Sequence, residues 1–91
     1  MVLSDDEIIK MIHDAIVCTD FKIVSFNRNH EYFGNMILVI ANNKKRFEYI
    51  TDRDDVFCNS KLVIRHGYHV AEKDDCPLYL IQAIADSINA S

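Results

Sequence analysis

The sequence predicts an α+β two-layer sandwich: an antiparallel meander of four or five strands, with N- and C-terminal helices packed on one of its faces. Three observations lead there. A capped apolar stripe at helical spacing opens the chain, and a second closes it. Between them the hydrophobic period drops to two, punctuated by turn residues. Two helices flanking so small a meander bury most apolar surface when both lie on the same face. With 91 residues there is room for one core, so the chain reads as a single domain over 1–91, in the order α-β-β-β-(β-β)-α.

The first helix carries its start signal in Ser4 and Glu7, a capping box in which each side chain satisfies the other residue's backbone N–H. Leu3 and Ile8 occupy the staple positions around it, and Asp5 and Asp6 suit the positive end of a helix dipole. Ile8, Ile12, Ala15 and Ile16 form the apolar stripe, and the helix is expected to end within 18–20. From Phe21 the spacing changes: Phe21 and Ile23 fall on one side of a first strand, Val24 and Phe26 on the other, with 27–31 as a turn. The run 36–41 is short, rich in β-branched residues and bounded by Gly34 and Asn35, which marks a central strand.

Asn42 and Asn43 begin the next turn, where Asn tolerates positive φ. Strand three, 46–51, alternates Phe47, Tyr49 and Thr51 against Arg46, Glu48 and Ile50. After an aspartate-rich turn, 56–58 and 62–65 form a last hairpin about Asn59, Ser60 and Lys61. Residues 66–73 have no period and read as a loop. A second helix starts near Asp74, with Pro77 in its first turn, and buries Leu80, Ile81, Ile84, Ala85 and Ile88.

Composition excludes several classes. Apolar residues at 49 % and only two Gly and one Pro argue for packed helix and strand rather than disorder. The acidic start and the lack of an apolar run near the roughly 20 residues of a membrane span argue against a secretory leader or membrane insertion. Three unclustered cysteines argue against a disulfide scaffold, so a reducing cytoplasm is the expected setting. A net charge of −4 disfavours nucleic acid as a partner, because phosphate neutralisation needs a concentrated basic face. The cluster Lys44, Lys45, Arg46 reads as a solvated hairpin tip.

A two-layer fold leaves one sheet face open to water, and alternation normally makes that face polar. Here strand 36–41 is apolar on both sides, Met36, Leu38 and Ile40 against Ile37, Val39 and Ala41. Charged Arg46, Glu48 and Arg65 fall beside it. An apolar patch rimmed by charge is the usual look of a protein-binding surface; the alternative is that a loop, 27–33 or 66–73, folds over it. Tyr32 and Phe33 are further candidate anchors, since aromatic rings bury much area at small entropic cost.

Candidate chemistry is thinner. Cys58, His66, His69 and Cys76 are zinc-ligand types within one stretch, but only His66 and His69 have a tight spacing. Asp52, Asp54 and Asp55 could hold a hard cation, yet turn chemistry accounts for them better, with no glycine bend and with Arg53 among them. No P-loop, nucleophile elbow or zincin motif is present, and no cofactor is implied. The expected function is therefore a small non-catalytic interaction domain. Its partner is a protein, a second copy first of all, and its role that of an adaptor or inhibitor of the kind phages and mobile elements carry. A metal-responsive module using Cys58, His66, His69 and Cys76 is the alternative, and a small enzyme the third reading.

Overall fold

Ser4 accepts the Glu7 N–H at 3.2 Å, and the Glu7 carboxylate takes the Ser4 N–H at 3.3 Å, so the capping box forms and opens helix α1, Asp5–Ile16. In this computed structural model the described residues are 4–29, 35–52, 55–64 and 75–90, with side chains in the last segment from Leu78 onward. Five strands follow α1: β1 Lys22–Asn29, β2 Asn35–Ala41, β3 Arg46–Asp52, β4 Asp55–Cys58 and β5 Lys61–Ile64, and helix α2, Asp75–Ala90, closes the chain. All neighbouring strands pair antiparallel, in the spatial order β1-β2-β3-β4-β5. The predicted α+β sandwich is what the chain forms.

Both helices pack on one face. Ile8, Ile12 and Ile16 of α1 share a buried cluster with Leu80, Ala83 and Ile84 of α2 and with Met36, Leu38, Ile40, Tyr49, Val56 and Cys58 from the sheet. Phe21, Phe47 and Tyr49 add an aromatic row, with ring centroids 5.5 and 6.2 Å apart. The helical stripes differ from expectation at their small residues: Ala15 and Ala85 are exposed, while Ala83 is buried. Alanine satisfies either environment, so its own side chain does not mark which face it takes.

Strand β1 departs further. It continues through Asn29, beyond the turn expected at 27–31, and Ile23 and Phe26 both pack on the core instead of on opposite sides. The cause is a bulge: Ile23 pairs with Ile40 and Ser25 with Val39, which leaves Val24 unopposed and exposed. At the far end of β1, Arg28 lies under the start of α1, its largely buried guanidinium 3.5 Å from the Asp5 carboxylate.

The turns use asparagine in two ways. Asn42 accepts the Lys44 and Lys45 N–H groups at 2.9 and 2.7 Å through its side chain. Positive φ, expected there, occurs among non-glycine described residues only at Asn59 (51°) and Ser60 (69°), in the β4–β5 turn. Asn59 also extends the β3–β4 ladder: its N–H donates to the Glu48 carbonyl at 2.8 Å, and its Oδ1 accepts the Glu48 N–H at 2.9 Å.

Thr51 fixes the start of β2. It is fully buried, and its hydroxyl accepts the Met36 N–H at 2.8 Å. Without that acceptor a buried N–H loses its partner, which typically costs about 1–3 kcal/mol. Thr51→Val should therefore lower unfolding free energy by about 1–3 kcal/mol, whereas Thr51→Ser should keep the hydrogen bond and lose less. Urea denaturation of the two variants beside the parent checks the order; equal losses would remove the hydrogen bond as the cause.

Candidate interaction surface on the open sheet face

The register that buries Leu38 and Ile40 under the helices turns their neighbours to the other face. Ile37 pairs with Ile50, Ile50 with Phe57, and Phe57 with Leu62. These four side chains form an apolar ladder across β2, β3, β4 and β5 on the helix-free side. Ile37 is 45 % exposed and Leu62 39 %, with Ile50 and Phe57 half-buried between them. None belongs to the buried cluster beneath the helices. Val39, next to Ile37 on the same face, is 3 % exposed and also outside that cluster; its cross-strand neighbours are Ser25 and Glu48. Leu38 is thus core and Ile37 surface.

Polar residues frame the ladder. Lys22 and Arg46 flank Ala41 at one end of the strands, while Asp52 and Asp55 face each other at the opposite end. Arg46 and Asp52 are exposed, and Glu48 is half-buried. Of the residues expected on this surface, Ile37, Arg46 and Glu48 are brought together on it, while Val39 shares their face but is buried. Tyr32, Phe33 and Arg65 lie outside the described residues, as do the loop segments 30–33 and 66–73. Phe57 and Leu62 were missing from the expected set. Counting the register back from the hairpins puts Phe57 opposite Ile50 and Leu62 opposite Phe57, so the signal lay in turn length rather than in residue type.

The sheet's edges are less open to docking than its face. Both edge strands are bulged, β1 at Val24 and β5 at Val63, where Val56 pairs with Ile64 and Phe57 with Leu62. A bulge twists an edge away from the flat geometry that an added strand needs.

Of the metal alternative, His66, His69 and the Cys76 side chain lie outside the described residues. Cys58 is buried on β4, its sulfur 3.7 Å from the Ser87 hydroxyl on α2. Among the described residues no three His, Cys, Asp or Glu side chains gather as a metal site, and no helix is long and apolar enough to cross a membrane. Asp52 and Asp55 are paired across β3 and β4, while Asp54 lies outside the described residues.

Beside Cys58 and Ser87 sits the fully buried Tyr49 phenol. Ser87 directs its own proton to the Ala83 carbonyl at 2.8 Å. Burial, opposed in part by Ser87, pushes the Tyr49 phenol up to about 12. The neutral phenol is thus the form the fold accepts. Its contribution is intact below the ordinary value of 10.0 and is lost as pH rises toward and through 12. Relative to Tyr49→Phe, the parent should lose about 2 kcal/mol of stability between pH 10 and pH 12. Urea midpoints across that interval check it, and parallel curves for parent and variant would refute it.

The chain matches no protein-family model, and neither a curated protein nor a solved structure matches it.

Proposed function

We propose that this chain is a non-catalytic protein-interaction domain that docks through the open face of its sheet, with a second copy of itself as the first partner and a larger protein as the target of an adaptor or inhibitor role. The observation that carries this reading is the ladder Ile37–Ile50–Phe57–Leu62, apolar across four strands of the face opposite α1 and α2. A sheet face exposed to water normally alternates to polar residues; here polar Asn27, Ser25 and Glu48 stand beside the row, but none falls within it. Single exposed apolar residues are ordinary; a contiguous row rimmed by charge is the pattern of interaction sites. Self-association is the first form to consider because most soluble oligomers are symmetric homodimers. The bulged edges support the face over strand addition.

Ile37→Lys tests the reading against Leu38→Lys. Ile37→Lys should leave the thermal midpoint within a few degrees of the parent and weaken self-association roughly tenfold or more, as loss of a central apolar contact does. Leu38→Lys, which puts a charge into the core beneath the helices, should unfold the chain. Sedimentation equilibrium and circular dichroism together read both. If Ile37→Lys also unfolds the protein, the face is core rather than docking surface, and the proposal fails.

A further inference from the structure

Among the described residues the open face carries opposite charges at the two ends of β3, Arg46 and Asp52, and that polarity selects one way for two copies to meet. Resting on the proposal that this face is where the chain self-associates, we infer that the second copy docks with its strands reversed, about a two-fold axis running across the strands, so that Arg46 of each copy lies over Asp52 of the other.

The outward residues of β3 are, in order, Arg46, Glu48, Ile50 and Asp52. Beside them, Lys22 joins Arg46 at one end, and Asp55 joins Asp52 at the other. The two ends are six residues apart on β3, about 20 Å at strand spacing. Two sheets stacked face to face with their strands aligned, as an isologous pair, have their two-fold axis between them, either along the strands or across them. An axis along the strands sets Arg46 over Arg46 and Asp52 over Asp52. One across the strands keeps each strand over its own counterpart with direction reversed, so Arg46 meets the other copy's Asp52, while Lys22 on β1 falls over the Asn29 end of β1.

The same charges fix the height of the axis. With ladder laid on ladder, Glu48 falls over Asp52 of the other copy. Centring the axis at the level of Leu38 and Tyr49 instead puts Arg46 over Asp52 and Glu48 over Ile50, with Ile37 over the strand position of the buried Val39. The strands are seven or eight residues long in β1 to β3 and four in β4 and β5. A face of that size has a footprint of roughly 500 Å², at the small end for a stable pair. Association is then weak enough for two symmetric charge contacts to decide the arrangement.

Arg46 and Asp52 are exposed, so reversing either leaves the core alone. Arg46→Asp and Asp52→Arg should each weaken self-association about tenfold or more at low salt. An equimolar mixture of the two should form a heterodimer within about threefold of the parent's affinity, and the double variant should recover as a homodimer. Sedimentation equilibrium with Ile37→Lys as reference reads all of these. If Ile37→Lys dissociates the pair while the charge variants alone do not, the face is right and the arrangement wrong. Single variants that match the parent, with a mixture that binds more tightly, would identify the axis along the strands and overturn the inference. A parent that stays monomeric to about millimolar concentration, where even weak pairs form, or a dimer indifferent to Ile37→Lys, overturns the docking face itself.

Discussion

Register between β2 and β3 is the constraint on which the rest of this structure depends. Side chains in a strand alternate with a period of two, so slipping one strand by a single residue exchanges its two faces. In most half-buried strands such a slip puts polar groups into the core, and the penalty itself enforces the register. Strand β2 has little of that protection, because Ile37 and Val39 could occupy the core as readily in character as Leu38 and Ile40. Fixed polar contacts supply what composition does not. The buried Thr51 hydroxyl holds the Met36 N–H, and Asn59 satisfies both backbone groups of Glu48 from the adjoining turn. Tyr49 then lands opposite Leu38 under the helices, and Ile50 opposite Ile37 on the open side.

The core and the open-face ladder are therefore two readings of one pairing scheme, and they serve different ends. Core residues such as Tyr49 and Leu80 are fully buried and hold the helices to the sheet. Ladder residues lie outside that cluster and do not hold the helices to the sheet. Bulges at Val24 and Val63 make the same division at the edges, where a regular strand would invite pairing with any extended segment. The edges are thus blunted while the apolar row stays on the face, an arrangement that disfavours pairing through the edges.

Much of this was legible in the sequence wherever a local rule had no competitor. The Ser4–Glu7 box, the isoleucine stripe of α1 and the alternation through β3 each followed from spacing alone, and the architecture followed from their order. What escaped had nonlocal causes. The bulge at Val24 depends on how β1 meets β2, and alternation within β1 carries no mark of it. Ala15, Ala83 and Ala85 have side chains too small to declare a face. Asparagine signalled turns correctly but not mechanism: Asn42 works through its side chain, and Asn59 through left-handed backbone. On the open face, Ile37 and Val39 were readable as outward once Leu38 was inward. Phe57 and Leu62 required the two hairpin registers, which no single strand contains.

An apolar face on a small domain raises the question of what prevents indiscriminate sticking, and the placement of charge answers it. Hydrophobic contact is non-directional: it favours any apolar surface that fits roughly. Charges at the rim add direction, because like charges brought together under partial desolvation cost more than a correct pair gains. On this face the cations Lys22 and Arg46 stand at one end and the carboxylates Asp52 and Asp55 at the other, with the apolar row between. On the proposed docking a partner would have to match that polarity as well as the row. Affinity would then rest on the ladder and selectivity on the charged ends, so the ends could be retuned toward another partner while the ladder, and the register beneath it, stay as they are.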